Sequence, residues 1–324
     1  VNQLEVIDMV NGTDLRGGHM LEPRWSVAVV GPGGVGGLLG AVLARAGHPV
    51  VYVARPDTAA ALNSGGLRVR SVQFGEFEVS ATAAPRLAGP VDVCLVAVKT
   101  TSLDAALAGV PPETLGDGLV LPLLNGVEHL TALRAWFPAA QVVAGAIRVE
   151  STRVAPGRIE HTTPFSSIEV ASDVAPRERV EALAAQLRQA GLEVTVRDDE
   201  TTLLWDKLAF LAPLALLTTH ASAPVGVVRG ERRADLETVI GEVAAVAAAS
   251  GATVDPAAIL GMFDRVSAGM KSSMLRDAEA NRATELDAIG GAILRAARRH
   301  GIGTPVTARL VAELRARETD GAVR

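Results

Sequence analysis

A single positive charge, Lys207, stands in the otherwise nearly continuous apolar stretch "LLWDKLAFLAPLALL", Leu203 to Leu217. Burying an ammonium without a partner costs several kcal/mol. Two arrangements avoid that cost: the stem lies along the surface with the amine in water, or the amine occupies a partly dry cleft for chemistry. In such a cleft, burial lowers a lysine's pKa toward neutrality and makes it a better acid. A second candidate constellation lies upstream in "VAVVGPGGVGGLLGAVLARAGH", where Gly31, Gly33 and Gly36 form G-x-G-x-x-G between an apolar β-branched run and a helical pattern. The first glycine permits the tight turn, the second lets a pyrophosphate approach the backbone, and the third lets helix and strand pack closely. With Gly34 and Val35, which lie between the second and third glycines, these residues predict a dinucleotide cradle facing a helix N-terminus.

Which dinucleotide is read at the end of the next strand. An NAD site usually places an acidic residue there for the ribose 2′-hydroxyl, whereas "VVYVARP" offers Arg55, which suits a 2′-phosphate and favours NADP(H). Lys99 in "LVAVKTTSL" and Asn125 in "LPLLNGVEHL" follow two further predicted strands, on the rim where open α/β sheets bind ligands. Lys99 is either a cofactor or substrate contact or a solvated loop lysine. Asn125-Gly126 is equally a common turn sequence. Glu285, in the first turn of a helix predicted to start at Thr284, has a plain alternative as a partner of the helix dipole.

The elements that must position these residues divide the chain. From Trp25, short runs ("WSVAVV", "PVVYVA", "VDVCLVAV", "GLVLPLL", "QVVAGAIRV") alternate with helical stretches, which predicts a doubly wound parallel sheet covered on both faces. Around Pro156-Gly157 a hairpin is expected at the sheet edge, followed by a helix over "PRERVEALAAQLRQAG" and a last strand, "LEVTVR". Beyond Asp198 only helical periods remain; Leu236, Val239, Ile240, Val243 and Val246 mark one buried face. The expected division is an N-terminal arm over 1–24, with Met20 a candidate start, a dinucleotide-binding α/β domain over 25–197 and an all-helical domain over 198–324. Apolar helices in the second half suit a homodimer as well as a monomer's core.

Composition narrows the partners. The formal net charge of −5 with dispersed basic residues argues against nucleic acid or an anionic membrane. The longest apolar run, Leu208 to Leu217, is broken by Pro213 and falls short of the roughly 18 residues that span a bilayer. The lone cysteine, Cys94, reads as a small buried hydrophobe and implies a reducing, cytoplasmic setting. His129, His161, His220 and His300 lack metal-ligand spacing and read as surface or helix-terminal residues; no metal is expected.

Together "GPGGVGG", "VARP", "VKTTS", "LLNGVE", "LWDKLAF" and above all "KSSMLRDAEANRATELDAIGGAILRAARRHGIGTP" resemble the ketopantoate reductase family, the NADPH-dependent 2-dehydropantoate 2-reductases, from Trp25 to about Glu318. The resemblance implies a Rossmann-type domain followed by a helical one, with the active site between them and a small 2-keto acid as substrate. It implies that Lys207 gives a proton to the ketone oxygen, that Glu285 engages the substrate hydroxyl, and that Asn125 orients substrate and nicotinamide. Ser273 then matches a group binding the substrate carboxylate, and Arg55 and Lys99 match contacts to the NADPH phosphate and ribose. One departure stands out: four and eight residues after the lysine the family commonly has asparagines, and here there are Leu211 and Ala215. A substrate more apolar than ketopantoate, another carbonyl or imine, or a nucleotide-binding sensor without turnover are the alternatives this leaves open.

Overall fold

The computed structural model describes residues 24–322, and the expected arm over 1–24 lies outside them except for Arg24. Twelve strands occur among the described residues: β1 (Val27–Val30), β2 (Val50–Val53), β3 (Leu67–Ser71), β4 (Gly75–Val79), β5 (Thr82–Ala84), β6 (Val93–Val96), β7 (Leu119–Pro122), β8 (Ala144–Arg148), β9 (Ser151–Ala155), β10 (Arg158–His161), β11 (Ser167–Ala171) and β12 (Glu193–Val196). The helices among them are α1 (Gly34–Arg45), α2 (Pro56–Gly65), α3 (Leu103–Leu107), α4 (Pro112–Leu115), α5 (His129–Trp136) and α6 (Arg177–Gln189).

The central sheet runs β5-β2-β1-β6-β7 with every pairing parallel. Strands β1, β6 and β7 are buried at every residue, which is why they read as continuous apolar runs. Strand order reverses between β1 and β6, so the crevice beyond their carboxyl ends is where such a sheet takes a ligand. Gly31 follows β1 there, and Val98 and Lys99 follow β6.

The hairpin expected at the edge of this sheet is elsewhere. β9 and β10 pair antiparallel, but β10 runs parallel to β3, giving a separate sheet, β4-β3-β10-β9. This sheet packs on α1, where a Cβ on Gly37 would lie 2.6 Å from the Ile159 side chain. A third sheet, β12-β11-β8, has β11 antiparallel to β8 and is linked to the central one by a parallel bridge between Val120 and Val142.

No strand follows Val196 among the described residues. The second half holds α7 (Glu200–Ala221), α8 (Val225–Glu231), α9 (Arg233–Ala249), α10 (Pro256–Arg265), α11 (Ser273–Glu279), α12 (Ala292–His300) and α13 (Pro305–Ala322). Asp199 caps α7, its carboxylate accepting from the Thr201 and Thr202 amides at 2.8 and 3.1 Å. α7 is continuous through Pro213, so the apolar run does not end there. By length and composition α7 could cross a membrane, yet two-thirds of the qualifying window is buried inside the protein. It packs against β8 and β11 on one side and α9, α11 and α13 on others, which accounts for apolar residues all round it.

The buried face expected on α9 forms as read, with Leu236, Val239, Ile240, Val243 and Val246 all within the core. The Thr284 hydroxyl accepts from the Leu286 amide at 3.2 Å, but the helical segment starts only at Leu286, so Glu285, expected in its first turn, precedes it. The chain then makes a π-helical turn, Asp287–Gly291, before α12. Cys94 is buried, and burial pushes its thiol up to about 12. One histidine departs from the expectation of surface or helix-terminal positions: His161 is buried in β10, hydrogen-bonded to Ser71 at 2.8 Å; His129 is helix-terminal, opening α5, and is 2% exposed.

Candidate active site

The glycine loop has the geometry a dinucleotide needs. Gly31 has φ +87°, and a Cβ there would lie 2.5 Å from the Val98 side chain. A Cβ on Gly36 would lie 2.2 Å from the Gly31 carbonyl oxygen, so helix and turn close only around glycine. Gly33 is different: a Cβ there would meet nothing within 4 Å, leaving open space over the start of α1. Gly34 is pressed against β9, where a Cβ would approach the Ser151 carbonyl oxygen to 2.0 Å, and the Ser151 hydroxyl donates to the Gly34 carbonyl at 2.8 Å. Val35 follows, partly buried, in the first turn. Arg55 is exposed at the end of β2, and no hydrogen bond or ion pair holds its guanidinium among the described residues. The open glycine, the helix start and a free cation fit a phosphorylated dinucleotide.

Four chain segments meet around Lys207, Asn125 and Glu285. The Lys207 Nζ donates to the Leu124 carbonyl at 3.0 Å. The next residue, Asn125, donates its side-chain amide to Glu285 Oε2 at 2.8 Å, and the Thr100 backbone N–H donates to Glu285 Oε1 at 2.9 Å. Lys207, Asn125 and Glu285 are thus joined through two consecutive residues of the loop after β7. That loop approaches the helical domain so closely that a Cβ on Gly126, φ +87°, would lie 2.4 Å from the Ala288 carbonyl oxygen. Asn125-Gly126 is both a turn and a polar contact.

Burial is the main force on Lys207. It lowers the ammonium's pKa to about 8, opposed by the negative charge of Glu285 and reinforced by the positive charge of Arg148. Arg148 ends β8 and belongs to an ion-pair network: it pairs with Glu169, Glu169 pairs with Arg197 at 2.6 Å, and Arg197 reaches Asp206 at 3.3 Å, the residue before the lysine. His129 is a further titratable group near the lysine. Burial, helped by the charge of Lys207, pulls its pKa to about 3, so the imidazole is neutral.

Lys99 and Ser273 stand apart from this cluster. The Lys99 ammonium pairs with Asp277 at 2.7 Å and donates to the Ala283 carbonyl at 3.0 Å, so it ties the sheet rim to the helical domain. Ser273 opens α11 with its side chain exposed; its neighbour Ser272 is the buried cap, accepting from the Leu275 amide at 3.0 Å and hydrogen-bonded to the Thr218 hydroxyl at 2.8 Å. On α7, Leu211 is partly buried against the helical core and Ala215 is fully buried. The contributions of Thr100 and Leu124 are backbone groups, which no side-chain pattern announces. Arg148 carried no local signal beyond its place at a predicted strand's end.

Residues 27–174 match the family description "Ketopantoate reductase PanE/ApbA", and residues 200–318 match its C-terminal domain. A 2-dehydropantoate 2-reductase from Caulobacter vibrioides is 33% identical over 304 residues, covering 90% of this chain and 98% of that protein. A PanE/ApbA family ketopantoate reductase from Ralstonia eutropha superposes with a TM-score of 0.83 at 30% identity, covering 92% of this chain and 99% of that one. D-mandelate dehydrogenase, solved with NADH and anilino(oxo)acetate, has the same fold, with a TM-score of 0.84 at 21% identity and coverage of 92% and 99%. The two matched regions take in most of the chain, and this protein belongs to the ketopantoate reductase family, oxidoreductases acting on a keto or hydroxyl group.

Proposed function

We propose that this protein is an NADPH-dependent reductase of a 2-keto acid, with ketopantoate to pantoate as the leading reaction. The observation that carries the reading is the Lys207 ammonium, held 3.0 Å from the Leu124 carbonyl, one residue from the asparagine that holds Glu285. Bound NADPH supplies a hydride to the carbonyl carbon. As negative charge grows on the carbonyl oxygen, Lys207 stabilises it and then gives up a proton to it, a contribution of roughly 10²–10⁴ in rate. An ammonium with a pKa of about 8 is mostly charged at neutral pH yet gives its proton more readily than an ordinary lysine. Glu285, already aligned by Thr100 and Asn125, takes the substrate hydroxyl. Asn125 orients substrate and nicotinamide, and Ser273, exposed at the start of α11, takes the carboxylate. Arg55 engages the 2′-phosphate and Lys99 the ribose side of the cofactor, which requires Lys99 to leave Asp277.

A second reading, a reductase for a more apolar carbonyl or imine, is favoured by Leu211 and Ala215. Both readings place a dinucleotide domain over 25–197 and a helical domain over 198–324, in a cytoplasmic protein acting alone or as a homodimer. The test is NADPH oxidation by the purified protein on ketopantoate beside a panel of aliphatic and aromatic 2-keto acids. Ketopantoate turning over fastest supports the leading reading, a bulkier acid turning over fastest supports the second, and NADPH binding with no turnover leaves a sensor. In the same assay, Arg55→Ala should raise KM for NADPH about tenfold or more while leaving NADH nearly unchanged. Equal losses with both nucleotides would remove the 2′-phosphate role.

A further inference from the structure

A cleft of about 830 Å³ lies where α5 of the first domain meets the start of α7 and the ends of α9 and α12, and none of the roles above uses it. Its volume falls within the range of about 300–1,000 Å³ common to small-molecule sites. The charges around it do not cancel. Two carboxylates line it and both are taken: Glu200 accepts from Arg134 at 2.6 and 2.7 Å, and Glu128 pairs with Arg295 at 2.7 Å. Arg299, whose side chain is 61% exposed, has only Glu128 at 3.9 Å, and His300 beside it makes no hydrogen bond among the described residues. The charge left over for a ligand is positive. Trp205, also in the lining, is 4% exposed, and its indole N–H donates to no acceptor among the described residues. The nitrogen is not sealed inside the protein. A largely buried indole N–H normally finds a partner, and leaving that bond unmade costs free energy.

We infer that this cleft binds an amphipathic organic anion, a carboxylate with an apolar body, and that its occupancy lowers activity. The ligand's oxygens take the two donors left over, the Arg299 guanidinium and the Trp205 N–H, and its body covers Leu130 of α5 and Leu204 of α7. Trp205 stands two residues before Lys207 in the continuous helix α7, and Val127, in the lining as well, stands two residues after Asn125. A ligand wedged between α5 and α7 bears on both segments, and a lysine shifted from its 3.0 Å contact with the Leu124 carbonyl loses rate. The binding is independent of the reaction; the loss of activity rests on the proposed reduction.

The experiment titrates the protein with sodium octanoate under saturating NADP⁺, reading tryptophan emission, and repeats the titration with octylammonium, which has the same tail and the opposite charge. Octanoate should change the emission saturably, octylammonium should not, and Trp205→Phe should lose the change. Arg299→Ala should weaken octanoate about tenfold, and Ala135→Phe, which fills the cleft from α5, should abolish its binding, both with kcat in the absence of octanoate within about twofold of wild type. In the keto-acid assay octanoate should lower kcat by about twofold or more with KM for the keto acid nearly unchanged. No saturable change, equal binding of the two amphiphiles, or octanoate binding that survives both Arg299→Ala and Ala135→Phe overturns the inference. Inhibition that vanishes as keto acid is raised would put octanoate on the substrate's own site and overturn it too, and binding with no loss of kcat overturns the effect on activity. A wild type that binds octanoate in this pattern but reduces no 2-keto acid overturns the reductase reading and leaves the binding site standing.

Discussion

The nucleotide loop and the lysine cluster, the two walls of the proposed site, are built on opposite plans. The nucleotide wall is backbone: Gly31, Gly33 and Gly36 lie within six residues, and what matters is the side chains they lack. The lysine wall is made of polar groups brought together from far apart, Thr100 and Glu285 being 185 residues distant along the chain. A local backbone demand constrains neighbouring residues and is written as a motif, whereas a distant convergence exists only once the domains have packed. The walls should therefore fail differently. The largest effect belongs to the lysine wall: Lys207→Ala should cut kcat by roughly 10²–10⁴ while NADPH affinity stays within about twofold. Steady-state kinetics with a separate measurement of NADPH binding checks this, and a comparable loss of affinity would mean that the two walls are not independent.

That contrast also decides what could be read from the sequence. Gly31, Gly33 and Gly36, the buried runs of β1, β6 and β7, and the helical second half were legible because each is a short-range pattern. The β9–β10 hairpin was legible as a hairpin, but its partner was not, because β3 lies some 90 residues upstream. β3 and β4 were themselves missed: β3 alternates buried and exposed residues, with Arg68 and Arg70 outward, and so lacks the continuous apolar run that marks a strand covered on both faces. In the site, the resemblance supplied roles for Lys207, Asn125 and Glu285, and the fold supplied their connection through Thr100 and Leu124. His161 was misread because a histidine in a strand whose partner was not read carries no sequence sign of burial.

The nucleotide wall admits a sharper test, because its glycines differ in what surrounds them. At Gly36 an added methyl meets the Gly31 carbonyl in the protein itself, so Gly36→Ala should cost about 1–3 kcal/mol of stability as well as cofactor affinity. At Gly33 the methyl meets nothing, so Gly33→Ala should leave the Tm unchanged and weaken NADPH about tenfold by occupying the space the pyrophosphate needs. Thermal melting with and without NADPH separates the two. A Gly33→Ala protein that binds NADPH as the wild type does would mean that this opening is not the cradle.

The smallest effect concerns the charge around the lysine. Arg148 lowers the Lys207 pKa, so Arg148→Gln should raise it, although burial remains the larger influence. The ammonium is the form that donates, and the reductive rate should fall as pH rises through about 8 in the wild type. At pH 7 such a lysine is already about nine-tenths protonated, so removing Arg148 should change the rate there by less than about twofold. At pH 9 little of the wild-type lysine is charged, more of the variant's is, and the variant should be the faster enzyme. Glu285 acts with the opposite sign, and Glu285→Gln should move the same limb to lower pH in addition to weakening substrate binding. A pH profile of kcat/KM whose basic limb stays in place in Arg148→Gln would show that the network through Glu169 and Arg197 already neutralises Arg148, leaving burial alone to tune the lysine.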